Sequence, residues 1–190
     1  MFFAKNVPMM IFSTLGALCK PGDGLGAPLL STSHTGTRFG DMKPKTFQSE
    51  VWLARPLEEI FAFFANADNL QSLTPAWLDF SLVTPKPILM RTGTLIDYRL
   101  RLHGFPIRWR SEITVWEPPL RFVDEQRRGP YTLWVHEHQF QARDGGTQVS
   151  DLVRYAVPGG WLVERLFVRR DVERIFQFRR RKLLELFGKH

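Results

Sequence analysis

Two histidines stand two residues apart in "YTLWVHEHQF", Tyr131 to Phe140, within a run whose apolar and polar residues alternate. A period of two is the mark of a β-strand, so Trp134, His136, His138 and Phe140 share one face while Val135, Glu137 and Gln139 share the other. An imidazole gives or takes a proton near neutral pH, and it is also a ligand for divalent metals. The next run, "TQVSDLVRYAV", alternates as well, and "RDGG" between the two has the composition of a hairpin turn. Placed symmetrically, that turn sets Phe140 opposite Val149, His138 opposite Asp151, His136 opposite Val153 and Trp134 opposite Tyr155. A carboxylate beside an imidazole selects its tautomer and favours its protonated form. His138 with Asp151 therefore has three uses: satisfying each other across two strands, orienting a bound molecule, or acting as a general acid–base pair. His136 and His138 with Asp124 or Asp151 also have the spacing of a strand-borne metal site. The spacing specifies no third ligand, so no metal and no cofactor are expected.

Such residues need a sheet with an inward face and an element to cover it. "TFQSEVWLA" from Thr46 reads as a strand, and "RPLEEIFAFFAN" as a helix with Pro56 in its first turn and Glu58 and Glu59 at its positive end. Ile60, Phe61, Phe63 and Phe64 supply its buried side. A second short helical piece, "ADNLQSLTP", stops at Pro75, and "LDFSLVT" reads as the next strand. Three hairpins follow: "TLIDYRLRL" with "IRWRSEITVW" through "HGFP", the latter with "LRFVDEQ" through "EPP", and the histidine hairpin. Alternation turns Ile96, Tyr98, Leu100 and Leu102 inward, with Trp109, Ser111, Ile113 and Val115, with Asp124, and with Val149, Asp151, Val153 and Tyr155. From Trp161 to about Phe187, Leu162, Leu166, Val172, Ile175, Phe176, Leu183, Leu186 and Phe187 recur at mostly helical spacing. This long amphipathic helix is the cover, and the basic run Arg179 to Lys182 reads as part of its solvated face.

The chain has 190 residues, 44% of them hydrophobic and 13% aromatic, enough for one domain with a sizeable core. Residues 1–44, rich in Gly, Ser, Thr and Pro and without either period, read as a disordered or weakly ordered extension. Within it "VPMMIFSTLGALC" has the length of an export signal's apolar region but no clean small-x-small cleavage site, so export is not expected and Met42 is an alternative first residue. The single cysteine, Cys19, allows no internal disulfide, and a cytoplasmic location is expected. The formal net charge is +7, and from Trp161 onward nine Lys or Arg stand against four Asp or Glu. The basic excess is thus a property of the last helix. Aromatic residues are not interleaved with its outward charges, so nucleic acid is not an expected partner, whereas transient contact with an anionic membrane through the helix is compatible with the pattern.

The order strand, two short helices, six strands and long C-terminal helix resembles the helix-grip fold of the SRPBCC superfamily, which includes START-like proteins and polyketide cyclases. "FVDEQ", "GPYTLWVHEHQF" and "SDLVRYAVPGG" are similar to a branch of ligand-binding SRPBCC proteins. The resemblance covers Thr46 to Phe187 and implies an α+β fold in which a curved antiparallel sheet of about seven strands wraps a long C-terminal helix. It further implies a cavity for a hydrophobic or amphipathic small molecule. The residues expected to bind it are Tyr98, Trp109, Ser111, Asp124, Trp134, His136, His138, Asp151 and Tyr155: mostly apolar walls with a few orienting polar groups. The first expectation is a non-enzymatic binding protein for a lipid or ring-containing metabolite. The alternative is a cyclase or dehydratase using His138 with Asp151.

Overall fold

The computed structural model describes residues 43–188, so all but the last two residues of the expected N-terminal extension lie outside the described residues. Strand β1 (Lys45–Leu53) leads into helix α1 (Leu57–Ala65), two 3-10 turns (Ala67–Leu70 and Ala76–Leu78) and a short strand β2 (Ser81–Leu82). Strands β3 (Leu95–Leu102), β4 (Phe105–Glu117), β5 (Arg121–Arg128), β6 (Leu133–Arg143) and β7 (Gly146–Ala156) follow as a meander. A helical rod closes the chain: α2 (Gly160–Val163), a π turn (Glu164–Val168) and α3 (Arg169–Phe187). All strand pairs are antiparallel, and the sheet order is β1-β7-β6-β5-β4-β3-β2. This is the expected helix-grip arrangement.

The hairpin turns explain the register. Asp144 (φ 51°) and Gly145 (φ 74°) both take left-handed conformations, as do His103 (φ 51°) and Gly104 (φ 83°), the pattern of two-residue hairpin loops that suit the right-handed strand twist. The first turn pairs Phe140 with Val149, His138 with Asp151, His136 with Val153 and Trp134 with Tyr155, as the symmetric reading of "RDGG" requires. The second is shorter than the "HGFP" reading, because Phe105 and Pro106 already belong to β4.

Three further expectations change. "LDFSLVT" contributes only Ser81 and Leu82 to the sheet, since Asp79 (φ 43°) is left-handed and ends the turn before it. On β4, a register shift between Ile113 and Val115 reverses the alternation, so Trp116 instead of Val115 packs against the core, where its ring meets Phe61 and Phe122. On the C-terminal rod, Leu162, Leu166 and Leu186 are exposed and the buried stripe is Val172, Phe176 and Leu183. The π turn adds a residue to one helical turn, which rotates the earlier apolar positions off the stripe that the rest of the rod buries.

The core lies between α1, the inner face of the sheet and α3. Leu53, Ile60, Phe61, Ile113, Phe122, Phe140, Val149 and Leu183 form one cluster; Val153, Tyr155, Val157, Val172 and Phe176 form a second. Among the described residues no helix is long and apolar enough to cross a membrane.

Candidate functional site

Between the inner face of the sheet, α1 with the turns after it, and α3 lies a cavity of about 200 Å³. An apolar cavity of about 150 Å³ binds benzene, so a space of this size takes a small ring-containing molecule. Phe64, Leu73 and Leu78 form one wall, Ile96, Leu100 and Ile113 the floor, and Val172, Ile175 and Phe176 the lid. Of the nine residues singled out in the sequence, Tyr98, Trp109, Ser111, Asp124, Trp134, His136 and His138 line the cavity. Asp151 and Tyr155 are buried behind that lining, where Tyr155 donates to Glu164 Oε1 at 2.9 Å.

The polar groups form one connected wall. Tyr98 stacks on Trp109, with ring planes 16° apart, and Trp109 meets Trp134 edge-on at 5.5 Å. Trp109 Nε1 donates to Ser111 Oγ at 3.1 Å, and Ser111 in turn donates to Asp124 Oδ1 at 3.3 Å. Tyr98 Oη lies 3.3 Å from the same hydroxyl and completes it as a second donor.

The histidine pair sits at the centre because β6 lies between β5 and β7, each of which brings a carboxylate. Asp124 is cross-strand from His136, and Asp151 is cross-strand from His138. The imidazoles lie 3.8 Å apart, so each carboxylate reaches both. Asp151 Oδ1 is 3.0 Å from His136 Nε2 and 2.9 Å from His138 Nδ1. Asp124 Oδ2 is 3.5 Å from His136 Nδ1 and 3.3 Å from His138 Nε2. Phe122 stacks on His138 at 4.2 Å, and Phe176 closes over His136 at 5.4 Å. The His138–Asp151 contact foreseen from the hairpin is therefore half of a four-membered cluster.

Arg179 joins this cluster and corrects the reading of the basic run. It lines the cavity, its guanidinium lies over Phe64 at 5.2 Å, and Nη2 is 3.4 Å from His138 Nδ1. Among the described residues its Nε is one of two buried side-chain atoms without a hydrogen-bond partner. A signal was present in the sequence: residue 179 stands seven after Val172, three after Phe176 and four before Leu183, on the helix's apolar stripe. Its neighbours Arg180 and Arg181 do face solvent.

The electrostatics follow from this packing. Burial by itself would raise Asp151, but the charge of Arg179 and the hydrogen bonds of His136 and His138 outweigh it and hold the carboxyl well below its usual range. Asp124 is lowered less, by the His138 hydrogen bond and the imidazole and Arg179 charges acting against burial. His136 is pushed down, chiefly by burial and then by His138, with the carboxylates opposing. The Tyr98 hydroxyl is pushed well up by burial and by the charge of Asp124.

This sheet gripping a C-terminal helix defines an SRPBCC-type helix-grip protein. Residues 53–181 match the family described as polyketide cyclase / dehydrase and lipid transport, and the chain belongs to that family. No curated protein matches it. Among solved structures it is similar to a Chromobacterium violaceum protein (15% identity, 77% of this chain and 100% of that one, TM-score 0.61). It is also similar to the ZhuI aromatase/cyclase of a Streptomyces species (13%, 75% and 92%, TM-score 0.60). A third likeness is to ginseng major latex-like protein 151 from Panax ginseng (10%, 76% and 97%, TM-score 0.58). At these identities the likeness is one of fold.

Proposed function

We propose that the protein binds a hydrophobic or amphipathic small molecule, a lipid or a ring-containing metabolite, in the cavity beneath α3. The observation that carries this reading is the character of the lining: most of it is aliphatic and aromatic, and the hydrogen-bonded set Tyr98, Ser111, Asp124, His136 and His138 lies together on the sheet wall, with Asn66, Asn69 and Thr74 on the side of the turns. A packed core has no use for such a space, whereas an amphipathic ligand fills the apolar part and turns its polar end to that wall. Trp109 and Trp134 supply flat surfaces for a ring. Ser111, Asp124 and Arg179 orient the polar end. The family's description, which names lipid transport, supports the same substrate class.

The cyclase alternative requires an imidazole nitrogen within reach of a substrate. Each ring nitrogen of His136 and His138 faces a carboxylate oxygen within 3.5 Å instead of standing free for a substrate. Binding without turnover is the reading that this geometry favours.

Membrane contact, expected from the basic helix, fits better at the start of the rod. There exposed Trp161, Leu162, Leu166 and Phe167 stand beside exposed Arg165, Arg169 and Arg170. The absence of any cysteine but Cys19 is in keeping with a cytoplasmic setting.

Native mass spectrometry of freshly purified protein tests the main reading. A retained small molecule, released on denaturation and several-fold depleted in a Leu100→Trp variant that narrows the cavity, is the expected result. Repeated recovery of bare protein, together with failure to take up a fluorescent apolar probe, would overturn it.

A further inference from the structure

We propose that Asp124, His136 and His138 form a binding site for a divalent transition-metal ion on the polar wall of the cavity, with Asp151 as the carboxylate that orients both imidazoles. One donor atom from each of the three lies within 4.8 Å of the others. The two carboxylates hold the rings differently. Asp151 Oδ1 approaches one nitrogen of each ring at 2.9 and 3.0 Å, ordinary hydrogen-bond lengths. Asp124 Oδ2 stands 3.3 and 3.5 Å from the remaining two. Neighbouring ligand atoms around a tetrahedral ion bound at 2.0 to 2.1 Å are about 3.3 Å apart, so the two Asp124 contacts, of which the one to His138 is also a long hydrogen bond, match the spacing of ligands, and the Asp151 contacts are shorter.

The protons lead to the same place. If Asp151 accepts from His136 Nε2 and His138 Nδ1, the lone pairs of His136 Nδ1 and His138 Nε2 both point toward the Asp124 carboxylate. Two lone pairs facing an anion in a buried wall repel unless a cation stands between them. A carboxylate accepting the second N–H of a metal-bound imidazole is the usual arrangement outside the ligand shell, and here one carboxylate serves two rings. Charge points the same way: two carboxylates stand against one guanidinium around the pair, and a cation between them offsets negative charge that is costly away from water. Asp124 is the most exposed of the four, with 18% of its side chain accessible against 4% to 7% for the others, so further coordination positions open toward the cavity. Two imidazole nitrogens and one carboxylate oxygen suit zinc, cobalt(II), nickel(II) or iron(II), and suit calcium or magnesium poorly.

The rival occupant of the gap is a proton. In that arrangement Arg179 Nη2 donates to His138 Nδ1 at 3.4 Å, and His138 Nε2–H donates to Asp124.

The full-length chain, treated with a chelator and dialysed, is titrated with cobalt(II) with no organic ligand present and followed by visible absorption, then by displacement with zinc. One equivalent is expected to bind with an intense ligand-field spectrum. Asp124→Ala and His138→Gln are each expected to weaken binding by more than the roughly 100-fold upper end for a supporting residue, and Asp151→Asn by about 10- to 100-fold. His103→Ala, at an exposed His103–Asp171 contact, is expected to leave it unchanged. Circular dichroism of each variant separates lost binding from lost folding, and the unmutated stoichiometry needs no variant. Less than one equivalent bound by the unmutated chain, or binding that persists in the folded Asp124→Ala variant, overturns the proposal in favour of the proton or of a site elsewhere. Because no organic molecule takes part, failure here leaves the small-molecule reading standing, and the converse holds.

Discussion

Asp124 and Asp151 flank the same pair of imidazoles from opposite strands, yet they are held differently. Asp151 is buried behind the cavity lining, in short contact with both rings and under the influence of Arg179. Asp124 reaches the cavity, contacts the rings at longer range and is tied to Ser111. The contrast is one of position: the deeper carboxylate ties the two imidazoles together, and the shallower one lies at the cavity surface.

The strongest way to break that contrast is to remove the deeper carboxylate. Asp151→Ala leaves two imidazoles without their shared acceptor and Arg179 without a nearby opposing charge, and a loss of about 3 to 5 kcal/mol is expected in urea unfolding, the range for uncompensated buried charge. Taking away the opposing charge with Arg179→Met strands Asp151 instead. Arg179 is only partly buried, so the same measurement is expected to show about 2 kcal/mol, less than the full buried-pair cost. Asp124→Ala is expected to cost about 1 kcal/mol, since the hydrogen bonds it removes, from Ser111 and His138, are both long. A loss as large as that of Asp151→Ala would erase the distinction between the two sides. Arg180→Gln, one residue beyond Arg179 but facing solvent, should leave the unfolding midpoint unchanged. An effect matching that of Arg179→Met would mean that the helix face has been misassigned.

The histidine hairpin was legible because everything it needed was local. "RDGG" set the register, and alternation then carried it across eleven residues of each strand. Asp124 could be placed on the inner face but not beside His136. β5 and β6 are joined through residues 129–132, clamped by Gln126 against the backbone of Tyr131, and no two-residue turn announces that register. Alternation alone turns Val115 inward, because a bulge leaves no mark in the pattern until the partner strand is known. The inward turn of Arg179 is hidden for a different reason. Its position on the apolar stripe was readable, but its membership of an "RRRK" run suggested solvent.

The linear order of residues determined the element types, the meander, the closing helix and the inward parity of Trp134, His136, His138 and Phe140, because each of these follows from periodicity and turn chemistry over a few residues. Only the tertiary structure decided that β6 lies between two strands that each bring an acid, that an arginine from the far end of the chain turns in to meet them, and that an open space remains between sheet and helix. Those outcomes depend on pairing and packing between segments that are distant in sequence, where the energy of a contact is set by geometry that no local pattern encodes.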